Sequence, residues 1–161
     1  MFIPSEVRPS TIFGKGLFPL RAVKKGTIVC LFTQDGQVIT ESEFVEAVRR
    51  DIYLILRTGT RYAGRYFTHL KDDAANLNFI NHSFDPNLLC HCGVVIARRD
   101  IPAEEELTLD YRYLVDSTDV GIYNDAQTGE PIRGFSARET MLRTAKEMIA
   151  ILESVEKGWE G

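Results

Sequence analysis

Apolar positions recur along this chain in two rhythms, one of short β-type runs and one of helical stripes. The first third reads as brief β segments and tight turns: residues 14–18 (Gly14-Lys15-Gly16-Leu17-Phe18), a turn at Lys24-Lys25-Gly26, then an apolar run over residues 27–32. At Thr40-Glu41-Ser42-Glu43 a Thr side chain and a Glu three residues later can satisfy each other's backbone N–H groups, so a helix is expected to start there. Phe44, Val48, Ile52 and Ile55 follow at spacings of three and four, which predicts one apolar stripe facing a core. Strands are expected around Arg61-Tyr62-Ala63 and Tyr66-Phe67-Thr68, punctuated by Gly59 and Gly64.

Residues 76–87 break both rhythms. They are rich in Asn, His, Ser, Asp and Pro, a composition that makes loops whose side chains bond to backbone. Strands are expected again at residues 94–97 and 107–109, joined through residues 98–106. A second capping box, Ser136-Ala137-Arg138-Glu139, opens a C-terminal helix carrying Met141, Leu142, Ala145, Met148, Ile149, Leu152 and Val155 at helical spacing, with Gly158 placed to cap its end. That stripe is expected to pack on the chain's own core.

With 161 residues and 44% apolar content, the chain can bury one sizeable core. No run of 18 apolar residues and no basic region leading into an apolar stretch occurs, so neither a membrane span nor a signal peptide is expected, and the reading is intracellular and cytoplasmic. A net charge of -4 argues against direct binding of nucleic acid and suits a basic partner. Cys30, Cys90 and Cys92 form no disulfide framework and fit a reducing compartment. Cys90-His91-Cys92 invites a metal reading, but a zinc site needs a second ligand pair and only His69 and His82 remain; no metal is expected.

Three motifs in order carry the chemistry. Asn78-Phe79-Ile80-Asn81-His82-Ser83-Phe84-Asp85-Pro86-Asn87 resembles the central motif of SET-domain lysine methyltransferases, an Asn-His-Ser stretch followed by Pro-Asn. Arg99-Asp100-Ile101, leading through Glu106-Leu107-Thr108 to Asp110-Tyr111, resembles the second motif of that family, and Gly14-Lys15-Gly16-Leu17 its N-terminal Gly-x-Gly. The resemblance covers about residues 5 to 115. It departs from the family at Asn78, often Arg, and at Phe84, often Cys. Residues 112–161 hold no cysteine, so no zinc cluster following the domain is expected, nor a cysteine-rich module before it.

The resemblance implies an α+β fold, the SET β-clip of several short curved sheets with a knot-like crossing, plus the C-terminal helix. It implies a SET domain over residues 1–115 and, over 116–161, an extension whose amphipathic helix packs on that domain. It implies transfer of a methyl group from S-adenosyl-L-methionine to the side-chain amine of a protein lysine, on a basic protein or peptide, with a nuclear location if that protein is a histone. Cofactor contacts are expected at Gly14, Lys15, Gly16, Leu17, Asn81, His82 and Tyr111, with Tyr111 at the reaction centre and Asp110 bracing it. The two glycines would allow positive φ and close backbone approach, and Asn81 and His82 carry groups able to meet an adenine edge and an amino-acid moiety. Aromatic walls for a lysine channel are expected among Tyr113, Tyr123 and Phe135, with Tyr53, Tyr62 and Tyr66 as further candidates. Acidic residues Asp72, Asp73, Glu104 to Glu106, Asp116 and Asp119 could line a groove for a basic peptide. The rival reading is a SET module without catalysis that binds a peptide or partner protein.

Overall fold

Two consecutive apolar runs, Leu88-Leu89-Cys90 and Val94-Val95-Ile96-Ala97, cannot expose either face to water, and the structure buries both. The computed structural model describes residues 1–31, 37–50, 59–62, 66–69, 75–115 and 123–155. Strands β8 (Leu88–His91) and β9 (Val94–Ala97) form an antiparallel hairpin, and β3 (Ile28–Leu31) adds to the other edge of β9. Because side chains alternate across a strand, Leu88, Cys90, Val95 and Ala97 enter the central core, while Leu89, Ile96 and Val94 face the C-terminal helix α2 (Ala137–Ser154). This sheet is the partition between two clusters.

The central core joins Leu17, Val23, Val29, Cys30, Leu77, Ile80, Ile101, Leu107 and Leu109 to those residues. Around it, among the described residues, lie three further short sheets. Strands β1 (Ser5–Pro9) and β2 (Lys15–Pro19) pair antiparallel, with Val7 opposite Leu17. Strands β4 (Gln37–Thr40), β6 (Tyr66–His69) and β5 (Gly59–Tyr62) form an antiparallel sheet in the order β4-β6-β5. Strands β7 (Asn81–His82) and β10 (Thr108–Leu109) pair in parallel, Asn81 beside Thr108 and His82 beside Leu109. The α+β architecture of several short sheets and a C-terminal helix is the one expected.

Helix α1 (Glu41–Arg50) starts where the capping box requires: Thr40 N–H donates to Glu43 Oε2 at 2.7 Å and Glu43 N–H to Thr40 Oγ1 at 3.4 Å. Ile52 and Ile55, from the expected stripe, lie outside the described residues, as do Tyr53, Asp72, Asp73, Asp116, Asp119 and Gly158. Helix α2 begins with Ser136 Oγ accepting from Glu139 N–H at 3.3 Å. Its buried face differs from the expected stripe. Thr144 and Ile151 are buried, with Met148 packed on the same sheet, whereas Leu142, Ile149 and Leu152 are exposed. Thr144 can occupy the core because its hydroxyl donates to Thr140 O at 2.7 Å and contacts His91 Nδ1 at 2.8 Å, so its polarity costs little.

Candidate active site

Parallel pairing of β7 with β10 sets the site, because each two-residue strand continues directly into a motif. Beyond β10 the chain enters a one-turn 3-10 helix, Tyr111–Tyr113, capped by Asp110, whose Oδ1 accepts from Arg112 N–H at 2.9 Å. Asp110 is 4% exposed and is held by the Arg112 guanidinium, with Nη2 to Oδ2 at 2.6 Å. It is a brace with both oxygens engaged. The same guanidinium lies between two rings, 4.9 Å from the Phe84 centroid and 5.3 Å from that of Phe135.

Tyr111 is tied at two atoms to the segment that enters and forms β7. Its hydroxyl donates to Ile80 O at 2.7 Å and its backbone N–H donates to His82 Nδ1 at 3.1 Å. Burial drives its phenol pKa well above the ordinary value, with the nearby Tyr123 and Glu106 adding to the shift, so the group stays protonated. Its ring is flanked by His82 at 5.3 Å and, edge to face, by Tyr123 at 5.4 Å.

His82 Nδ1 lies 3.1 Å from Tyr111 N–H, which can only donate, and 3.3 Å from Leu109 O, an acceptor that already holds Ser83 N–H at 3.0 Å; the shorter contact favours a bare Nδ1, with the hydrogen of the neutral ring on Nε2. That Nε2–H is buried with no hydrogen-bond partner, in a residue 7% exposed. Desolvation lowers the His82 pKa, against the opposing charge of Asp110, and keeps the ring neutral. Phe84 closes edge-on over it at 4.5 Å.

The Gly-x-Gly turn packs against β7 through Asn81. The Asn81 amide reaches Phe13 O and Lys15 O at 3.0 Å each, Glu106 Oε1 at 2.7 Å and Ser10 Oγ at 3.2 Å. Its donors are therefore spent on shaping the turn, where the sequence reading had them facing a cofactor. The two glycines serve different needs. Gly14 has φ +50° and open space where a Cβ would be, whereas Gly16 is not a positive-φ position. A Cβ at Gly16 would lie 2.2 Å from Glu106 Oε1, so this glycine admits the carboxylate. Leu17, expected among the cofactor contacts, sends its fully buried side chain into the central core and its carbonyl accepts from Leu107 N–H at 2.8 Å. Lys15 is exposed, with Nζ 5.9 Å from the Phe79 ring centroid.

The SET domain family model matches residues 14–112, which include Gly14, Gly16, Asn81, His82, Asp110 and Tyr111. The chain belongs to the SET domain family. A Plasmodium falciparum (isolate 3D7) protein carrying the provisional name histone-lysine N-methyltransferase 1 is 30% identical over 129 residues, 69% of this chain and 2% of that protein. A second from the same organism, named variant-silencing SET domain-containing protein, is 28% identical over 124 residues, 67% of this chain and 5% of its own length. The chain thus spans a small fraction of the curated relatives it matches.

In this SET domain the three expected channel aromatics do not form one wall. Tyr123 meets Tyr111, held by a turn in which Asp125 Oδ1 accepts from Thr128 N–H at 2.8 Å. Tyr113 and Phe135 instead pack on each other at 5.2 Å and line a cavity of about 30 Å³ with Cys90, Cys92 and Met141, beneath the start of α2. That volume holds a water or two and no lysyl chain. Tyr62 and Tyr66 are register partners in β5 and β6.

The carboxylates of the acidic run after Ile101 pair within the chain, Glu104 at an exposed position. Glu104 pairs with Arg8, Glu105 with Arg99 at 2.5 Å, and Glu106 with Ser10 and Asn81, so these carboxylates are engaged and are not a free lining for a basic peptide. Asn87, the last residue of the central motif and one with no role expected from sequence, is 1% exposed: its Nδ2 donates to Glu106 O at 2.7 Å and Glu105 Oε1 at 2.8 Å, and its Oδ1 accepts from Thr108 N–H at 2.9 Å. A polar residue directly before the apolar run of β8 was the available signal. Among the described residues no group of three His, Cys, Asp or Glu side chains is placed to hold a metal ion.

Proposed function

We propose that this SET domain binds S-adenosyl-L-methionine and transfers its methyl group to the neutral side-chain amine of a lysine in a basic protein or peptide. The observation that carries the proposal is the double attachment of Tyr111 to Ile80 and His82, which holds a protonated phenol where the second motif meets the central one. The residues present fit the cofactor in two respects. The orphaned, buried His82 Nε2–H needs an acceptor that the protein does not supply, and the turn at Gly14 is open where a side chain would otherwise stand. Among the described residues strand β7 pairs with β10 alone, and the backbone of its other edge offers the donor and acceptor pattern that an adenine needs.

When bound, the cofactor supplies an electrophilic methyl group on a cationic sulfur. The chain must then align the amine with that group and exclude water, which contributes roughly 7–11 kcal/mol of barrier lowering in well-oriented reactions. Tyr111 does this as an orienting group. Its hydrogen is committed to Ile80 O, so its oxygen lone pairs face outward as acceptors for the amine, and its raised pKa removes it as a proton acceptor at neutral pH. The lysine proton therefore leaves to solvent before transfer, at a cost of about 4.6 kcal/mol at pH 7 from a reference pKa near 10.4. Tyr123, edge-on to Tyr111, desolvates the amine and lowers that cost.

Gly14 and Lys15 of the turn, with Asn81 as its fastener, form the methionine end of the cofactor site, and Asn81-His82 backbone the adenine end. Titration calorimetry of the purified chain with S-adenosyl-L-methionine tests this reading. Saturable one-to-one binding supports it; no heat, together with a copurifying partner, would establish the non-catalytic module instead.

A further inference from the structure

The β8–β9 hairpin turns through two residues, Cys92 and Gly93, at φ 51° and 82°, between the paired His91 and Val94. Two consecutive left-handed residues make a type I′ turn, whose first position normally takes Asn, Asp or Gly. A cysteine there costs about 1–2 kcal/mol of backbone energy. Helix α2 crosses this turn and places Met141 Sδ 3.2 Å from Cys92 Sγ, while His91 Nε2 lies 3.7 Å from the same sulfur.

The tautomer of His91 follows from its partner. The Thr144 hydroxyl has one hydrogen and donates it to Thr140 O at 2.7 Å, so in its 2.8 Å contact with His91 it accepts, and Nδ1 bears the proton. Nε2 is left as a bare lone pair on the Cys92 side. Thr144 is 1% exposed, which locks this arrangement. An imidazole whose far nitrogen donates to a fixed oxygen is the usual way a protein orients a metal-ligating histidine. Nitrogen, thiol and thioether donors thus converge from β8, the turn and α2, beside the 30 Å³ cavity that Cys92, Met141 and Thr144 line.

We propose that His91, Cys92 and Met141 form a binding site for a soft monovalent cation, copper(I) being the biologically available one. Thioether and thiolate sulfur select copper(I), whereas zinc favours four ligands and would find only two strong ones, His91 and Cys92. With bonds of ~2.3 Å to sulfur and ~2.0 Å to nitrogen, the 3.7 Å separation of His91 from Cys92 suits a near-trigonal ion. Met141 must open from 3.2 Å by less than ~1 Å, which its unbranched side chain allows. On binding, the Cys92 S–H bond breaks, a sulfur–metal bond forms and the proton passes to solvent; the ion keeps its oxidation state, and thiolate and cation neutralise each other. The half-buried setting favours that neutral assembly.

The experiment is anaerobic titration of the full chain with copper(I) against a chromophoric copper(I) chelator. One equivalent is expected to be withdrawn from the chelator. Cys92→Asn, which suits the type I′ turn and so keeps the fold, should abolish uptake; Met141→Leu and Thr144→Val should each weaken it about 10-fold or more; Cys30→Ala should leave it unchanged. No uptake by the wild type, wild-type affinity in Met141→Leu, or equal displacement by zinc would each overturn the proposal.

Discussion

The backbone N–H of Tyr111 donates to Nδ1 of His82 at 3.1 Å, and this bond couples the charge state of one motif to the position of the other. It exists only while Nδ1 is unprotonated.

Acid should therefore loosen the site. The folded-state pKa values of His82 and His91 are both lowered by burial, so below the unfolded pKa of about 6.5 the unfolded chain binds protons that the folded chain refuses. The contribution of these two histidines is level above that pH and declines as pH falls below it. Urea denaturation at pH 7.5, 6 and 5 should show this decline, and His82→Gln should reduce it.

Alkali should speed transfer. Since the amine must be neutral and the raised pKa of Tyr111 adds no titration of its own below pH 10, kcat/KM should rise about 10-fold per pH unit between 7 and 9 for a lysine with a reference pKa near 10.4. A flat profile over this range would show that a group of the protein takes the proton.

Gly14 and Gly16 should respond differently to alanine. Gly14→Ala should cost about 1–2 kcal/mol for its left-handed backbone. Gly16→Ala, with its Cβ directed at Glu106, should cost about 1–3 kcal/mol by overpacking and by pulling the carboxylate from Ser10 and Asn81. In a Glu106→Ala background the Gly16 penalty should largely vanish, a coupling that a double-mutant cycle in denaturant reads directly.

Ser136→Ala should lower stability by about 0.5–2 kcal/mol, because Ser136 Oγ caps α2. The loss should appear as a shifted urea midpoint with an unchanged slope.

Much of this was legible in residue patterns, for reasons that differ by element. The capping boxes at Thr40 and Ser136 announced α1 and α2 because their signal is local. Strand β9 was evident from four apolar residues in a row, whereas β8 was not, since its short run sits between Asn87 and His91 and its burial depends on α2. Strand β1 holds one β-branched apolar residue, Val7, and is half exposed, so it owes its form to pairing with β2. The two-residue β7 has no pattern at all and exists through β10. In the site, motif residues were identifiable by type, but their duties were not. That Asn81 fastens the turn, that Gly16 makes room for Glu106, and that Tyr113 and Phe135 pair away from Tyr111 all depend on contacts between segments distant in sequence.

The same dependence explains the stripe on α2. Apolar spacing pointed to Met148, which does pack on the sheet, but also to Leu142, Ile149 and Leu152; the helix instead turns Thr144 and Ile151 inward, with His91 as a partner for the threonine hydroxyl.

The most direct measurement is mass spectrometry of methyl-lysine on basic proteins incubated with the chain and isotopically labelled S-adenosyl-L-methionine, run beside Tyr111→Phe. Label on lysine nitrogen is expected with the wild type and a loss of about 100-fold or more with the variant, whose cofactor affinity stays within a few fold. Cofactor binding without labelled lysine on any protein, or transfer undiminished in Tyr111→Phe, would contradict the proposed function.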